Sequence, residues 1–462
     1  MKADQSRLPA ILCASIVCLL VGATWYLVPH PLVVIVLALV PLGALFVLNK
    51  TFWLVILFVA FSFFRIHEAI PQLYPLKIPL LLSLGALSAL LWHALISKEL
   101  KMYWHPCLTW LAIFWLLVFI GIIFASNRPI AIQEFKGIYW KIIVMTLAIV
   151  WLVNSAENLG KTSLVIILSG LLIGTIALYN SANGIGMVEE TRVTIGRDIG
   201  SMLGDPNDLA LALMFPLAFA VSNATTRNLS IPSRLLGAVV CVILMAAVIA
   251  TQSRGGLLGS LTVFGIFAIK LIRSKVLLIS LSGIAAIGLY FVAGISDRAS
   301  GGAAEAGIDA SAMGRLYAWE AAFKMATVNP LTGVGLNNFY SNYYFYSPHW
   351  DGLNHAVHST WFGVLAETGF LGLVVFICLI VALIRTAKRT LNKLENSAVA
   401  PDPNLISSAN AVFAGLLGTI VSGTFLTQGF NWPIYILSAL IVSVAHISQK
   451  ACQNENEPKQ DG

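Results

Sequence analysis

Residues 354–372 read N-H-A-V-H-S-T-W-F-G-V-L-A-E-T-G-F-L-G, and they mark where a polar excursion beginning near Ile295 returns to an apolar run. Nearly everything on either side is hydrophobic spans joined by short loops, so chemistry is expected to gather here. Of the 462 residues, 58% are hydrophobic and 11% charged, against roughly 25% charged in soluble domains. Apolar runs of about 17 to 22 residues are long enough to cross a hydrocarbon layer roughly 30 Å thick as helices, each satisfying its own backbone polar groups. The expected fold is an all-α polytopic membrane protein with about 12 to 14 transmembrane helices and one large outer loop.

The chain divides accordingly. Transmembrane helices fill 1–294, with a smaller outer loop near 181–206. The large loop covers 295–357, further transmembrane helices cover 358–448, and a polar tail at 449–462 is expected to be disordered. Two short early runs suit one re-entrant pair. Ile11–Val28 follows Lys2 and Arg7 without a small-residue cleavage site, so it reads as a retained first helix. With the N-terminus in the cytoplasm, most of the 28 Lys and Arg fall inside, among them Lys98, Lys101, Arg227, Lys270, Arg273 and Arg389. Both termini are then cytoplasmic, and 181–206, the start of the run at 255 and the 295–357 loop share the outer face. The formal charge of +7 thus reports sidedness, not nucleic-acid binding. The six cysteines form neither a disulfide framework nor a metal pattern. No metal or cofactor is expected.

Three outer segments carry the candidates. In T-R-V-T-I-G-R-D-I-G-S-M-L-G-D-P-N-D, residues 191–208, Asp205 or Asn207 is placed to cap the helix that follows. Arg192 and Arg197 sit in a glycine-rich stretch able to turn both guanidinium groups toward one anion. In T-Q-S-R-G-G, residues 251–256, Arg254 opens a span. A cation at a helix N-terminus opposes the dipole unless something anionic sits there, whereas the two together make a phosphate seat. In the large loop, residues 301–311 are Gly- and Ala-rich and expected to be mobile. Leu316, Trp319, Phe323 and Ala326 have the spacing of an amphipathic helix over 312–328, lying on the outer surface, with Arg315 at its start. An aromatic cluster follows between Phe339 and Trp350, suited to a membrane interface or to sugar stacking.

His355 and His358 close the loop, neighbours if both lie on the helix. A first-turn histidine is kept neutral by the helix dipole and so suits a general base, the role expected of His358. Glu367 lies nine residues on, half a turn round and ~13 Å deeper, so it is expected to be structural or gating and remote from His358.

Taken together, S-R-G-G at 253–256, D-P-N-D at 205–208, G-R-L-Y-A-W-E at 314–320, N-P-L-T-G-V-G at 329–335 and H-S-T-W-F-G-V-L-A-E-T-G-F-L-G at 358–372 resemble the O-antigen ligase and polymerase superfamily. The H-S-x-x-F-x-x-L-x-E-x-G-F form is most similar to its exosortase-associated O-glycosylation ligase branch. The resemblance implies a GT-C-type glycosyltransferase of the bacterial inner membrane. Such an enzyme takes a glycan from an undecaprenyl-pyrophosphate carrier at the periplasmic face and passes it to a lipid, protein or glycan hydroxyl, without metal or cofactor. It further implies that His358 activates the acceptor, that Arg254 engages the pyrophosphate, and that Arg315 is the arginine opening the loop helix. Arg192, Arg197 and His355 join them as candidate substrate-binding residues. Where many relatives carry an asparagine after the histidine, this chain has Ser359, which leaves the acceptor open. A polysaccharide polymerase of the same superfamily fits equally. A transporter is the remaining rival, although no internal repeat supports it.

Overall fold

The computed structural model describes residues 31–292 and 310–456 apart from Ala398, with scattered positions between 15 and 26. The mobile stretch expected at 301–311 lies outside the described residues except for its last two positions, as does most of the first expected span. Among the described residues the chain is all helix, and its one extended pairing is a bridge between Val188 and Arg192. Ten described helices are long and apolar enough to cross a membrane, or eleven if Leu39–Asn49 and Thr51–Phe63 form one broken span. Those two meet at 80°.

The helices used below are α1 (Pro31–Asn49), α2 (Thr51–Phe63), α3 (Ile78–Leu95), α4 (Pro106–Ile123), α5 (Arg128–Leu152), α6 (Ala156–Asn183), α7 (Pro206–Thr225), α8 (Ile231–Thr251), α9 (Arg254–Leu271), α10 (Lys275–Val292), α11 (Ala310–Val328), α12 (Phe339–Tyr346), α13 (Thr360–Glu395), α14 (Pro403–Gly423) and α15 (Trp432–Asn456). The last helix therefore runs past Lys450 to Asn456, where a disordered tail was expected, because nothing between Gln449 and Asn456 breaks a helix. Residues 457–462 lie outside the described residues.

Two compact units make up the chain: Met1–Val55 with Leu81–Leu100, and Ile56–Leu80 with Lys101–Gly462. In the first, His93 on α3 holds the Leu48 carbonyl at 3.0 Å and the Ser97 hydroxyl at 2.9 Å. The second unit carries every candidate site residue. Its centre is α7, 83% buried along its membrane-length stretch and packed against α6, α8, α9 and α14.

Lipid tails are as apolar as leucine, so such helices associate through close packing and shared hydrogen bonds. Gly256 on α9 lies directly on Ala210 of α7, where a Cβ would run into the alanine methyl. At the far end of α7, Ser222 donates to the Ser407 carbonyl at 2.7 Å and Ser407 donates to Asn223 at 2.9 Å. These contacts fix how the ends of α7, α9 and α14 line up, and the candidate site is built at one of those ends.

Candidate active site

The site starts from the turn before α7. Asp205 caps that helix, accepting the backbone N–H groups of Asn207 at 2.7 Å and Asp208 at 3.3 Å. Asn207 is thereby released from capping. Its side-chain oxygen accepts the Ser253 hydroxyl at 2.9 Å and the Arg192 guanidinium at 3.0 Å. Ser253 is itself the N-cap of α9, accepting the Gly256 N–H at 3.3 Å. The D-P-N-D turn and the S-R-G-G segment are thus one hydrogen-bonded unit, and Arg254, half-buried, opens α9 from it.

Arg192 and Arg197 do not converge. Arg192 is 4% exposed and donates from Nε to the Thr251 carbonyl at 3.1 Å as well as to Asn207. Its guanidinium satisfies the end of α8 instead of facing a cleft. Arg197 is exposed and donates to the Gly204 carbonyl at 3.1 Å. Each arginine closes a different part of the 191–205 loop, because the glycines that were expected to let both swing together fold the loop on itself.

His358 comes to this unit from the other side. Helix α13 begins only at Thr360, with Ser359 as N-cap accepting Phe362 N–H at 3.5 Å. His355 and His358 therefore lie in the chain leading into the helix, not one turn apart on it. His358 takes a left-handed backbone, φ 42°, a conformation that costs a non-glycine residue energy and that clusters at functional sites. The Thr360 hydroxyl donates to the Leu426 carbonyl at 2.7 Å and accepts the Gln428 N–H at 3.0 Å. The Gln428 carboxamide then donates to Asp208 at 3.3 Å. Trp361 adds a bond to the Thr424 hydroxyl at 3.2 Å. Through the 424–431 connection, the histidine-bearing strap is fastened to the turn that holds Asp205.

Helix α11 covers the strap. Trp319 donates to the Val357 carbonyl at 3.0 Å and its ring stacks on Phe362, centroids 5.0 Å apart. The face turned inward is Ala318, Ala321, Ala322 and Met325, all buried with Val357 and Tyr343. Leu316 and Phe323, which share the apolar spacing read from the sequence, are 46% and 49% exposed.

Burial first, and the Arg315 guanidinium second, hold the His358 imidazole below its ordinary value of 6.5; the Asp205 carboxylate pulls the other way, and His355 adds a smaller push down. Arg315 and Asp205 thus both act on His358 from separate helices. Among the described residues nothing hydrogen-bonds its ring, which is left to accept a proton. The neutral ring was expected from the helix dipole; burial and Arg315 produce it instead. His355 is bound by Asp351 at 2.9 Å and meets the edge of Tyr343.

Residues 239–377 match the O-antigen ligase family, named Wzy_C. This stretch is similar to the O-antigen ligases, and the rest of the chain lies outside the match. No curated protein matches the chain. The matched stretch of this O-antigen ligase relative takes in Arg254, Arg315, His355 and His358, and leaves Arg192, Arg197, Asn207 and Gln428 outside.

Glu367 also lies inside the family match. Gly369, with φ 69° and ψ −173°, breaks α13. The residues before the break pair with the 330–339 loop: Val334 N–H bonds the Ala366 carbonyl at 2.8 Å, and Phe370 N–H bonds the Pro330 carbonyl at 2.8 Å. The same loop bonds Ser126, just past the end of α4. Glu367, 8% exposed, accepts the N–H groups of Asn337 at 2.8 Å and Phe339 at 3.4 Å. A structural role, expected for it, agrees with this. Gln428 and Thr360 went unremarked in the sequence. Their signal was faint: T-F-L-T-Q-G-F-N, residues 424–431, is unusually polar for so short a connection between spans.

Proposed function

We propose that this membrane enzyme of the O-antigen ligase and polymerase type transfers a glycan from undecaprenyl pyrophosphate to an acceptor hydroxyl at the periplasmic face of the bacterial inner membrane. His358 removes the acceptor proton. The freed oxygen attacks the anomeric carbon, the bond from that carbon to the pyrophosphate oxygen breaks, and the electron pair leaves with the lipid diphosphate. In-line attack inverts the anomeric centre. Arg254, at a helix N-terminus, and Arg315 meet the charge that grows on the leaving diphosphate, where positive groups already in place are worth most. No metal is required in this scheme, because a diphosphate with two guanidinium partners is already a good leaving group.

The observation that carries the reading is that Arg315 acts on His358 while Asp205, which also acts on it, shares a hydrogen-bonded turn with Ser253 and so with Arg254. Arg192 and Arg197 are reassigned to holding the 191–205 loop, and His355 to the Asp351 pair beside the site. Incubating the purified protein with a lipid-pyrophosphate oligosaccharide and hydroxyl acceptors tests this. One-step transfer of a complete glycan indicates a ligase, a ladder of repeats a polymerase, and an unchanged donor with every acceptor rejects both.

A further inference from the structure

The far end of the same helices carries a second feature, which no part of the transfer scheme uses. Between the α7–α8 connection, the last turn of α9 and the side of α14 lies a pocket of about 320 Å³ whose lining includes Arg227, Asn228, Phe267, Lys270, Leu271 and Asn410. Helix α7 runs 20 residues from the Asp205 turn to this end, which separates the two sites by ~30 Å. The diphosphate seat proposed above cannot extend to it.

Its charges are arranged unequally. Lys270 is bound to Glu395 at 2.6 Å and to Asn410 at 2.5 Å, which balances one positive charge and leaves the lysine fixed as a wall. Arg227 is exposed and, among the described residues, makes no hydrogen bond or ion pair. Among the described residues its guanidinium is the one formal charge of the lining without an opposite partner, and Arg273 and Lys275, both exposed, follow directly on from α9. The apolar side is equally specific. Phe267 is buried at the pocket floor, while Leu271 and Ile269 on the same helix are 57% and 66% exposed. Phe267 and Leu271, four residues apart on one face of the helix, thus form a short apolar column that runs up to a basic mouth.

We propose that this pocket binds the phosphate of an anionic membrane lipid, with Arg227 and Asn228 on the phosphodiester, Lys270 at its edge, and an acyl chain along Leu271 and Phe267. Phosphate-bearing headgroups and free phosphate share the chemistry that Arg227 recognises. The apolar column favours the lipid, since a soluble anion gains nothing from it. Basic pockets between transmembrane helices are a recurrent means of holding such headgroups.

The test uses the full-length protein, released from detergent and examined by native mass spectrometry with phosphatidylglycerol, with phosphatidylcholine, and with phosphatidylglycerol plus inorganic phosphate. Wild type is expected to retain phosphatidylglycerol over phosphatidylcholine by about fivefold or more. Arg227→Gln is expected to lose most of that preference and Leu271→Ser part of it, while Arg273→Gln, outside the pocket, keeps it. Arg227 makes no contact that folding relies on, so its variant is expected to fold, which its thermal midpoint checks. An undiminished preference in Arg227→Gln, or none in wild type, overturns the proposal. Displacement of the lipid by low-millimolar phosphate assigns the pocket to a soluble anion and overturns the lipid reading as well.

Discussion

Gln428 donates its side-chain N–H to Asp208 at 3.3 Å while its backbone N–H is held by Thr360 at 3.0 Å. Both Gln428 and Asp208 are buried or nearly so, and the two bonds bridge helices α7 and α13 through a connection that neither belongs to. His358 is two residues before Thr360, and Asp205 three before Asp208. Gln428, outside residues 239–377, thus ties the segment that follows His358 to the helix that Asp205 caps.

Removing that bridge is expected to cost both stability and rate. Gln428→Leu leaves an Asp208 oxygen without its donor in a buried place, a loss of about 1–3 kcal/mol. The thermal midpoint in detergent should fall, and kcat should drop with little change in the KM for donor, because His358 loses its register while the arginines keep theirs. Gln428→Asn, which retains the carboxamide on a shorter stem, should recover part of both. A variant with unaltered midpoint and kcat would remove the bridge from the account.

Arg192 and Arg254 should fail in different ways. Arg192→Ala strips the Thr251 carbonyl and Asn207 of a charged donor, worth about 1.5–3 kcal/mol per bond, so it is expected to lower the melting midpoint and protein yield. Arg254→Ala should fold normally and lose transfer by about a hundredfold or more, the scale of a missing charge-stabilising donor. Melting curves and rates measured side by side on the two variants separate holding from binding.

The pH profile has a definite sign. A base works in its unprotonated form, and burial with Arg315 holds His358 below 6.5, so the acid limb of the rate should lie below that value. Arg315→Gln removes a cation that disfavours the imidazolium, and the limb should move to higher pH. The same depression means His358 contributes stability above pH 6.5 that is lost as the pH falls through its folded value. A limb unmoved by Arg315→Gln would show that the two groups do not interact.

Gly369 tests the pairing of this segment with the 330–339 loop. Its φ of 69° with ψ of −173° is nearly closed to other residues, and a Cβ there would meet the Pro330 backbone. Gly369→Ala is expected to destabilise by about 1–3 kcal/mol and to loosen the 330–339 loop, read as faster hydrogen exchange at Asn337 and Phe339. Were α13 continuous through this point, alanine would be neutral or stabilising.

Much of this was legible in advance for identifiable reasons. Apolar runs of membrane length announce helices, since a lipid-exposed backbone has no alternative. The Gly-Asp-Pro-Asn turn announces a cap at Asp205 or Asn207, and Asp205 is the one that makes it. Side-chain partners across the sequence are another matter. Arg192 and Arg197 look alike in a glycine-rich loop, and only the fold sends the first to Thr251 and Asn207. Helical periodicity found the helix at 312–328, whereas which of its faces meets the strap at Val357 depends on partners outside it. Gln428 offered no spacing to notice, as its partners lie some 70 and 220 residues away.

The most direct test is the rate of glycan transfer from undecaprenyl pyrophosphate by purified His358→Ala, against wild type at equal folded protein. Loss of about 10²- to 10⁴-fold, with donor affinity and melting midpoint retained, is the predicted result. Transfer near the wild-type rate would contradict the assignment of His358 as the base and, with it, the proposed chemistry of the site.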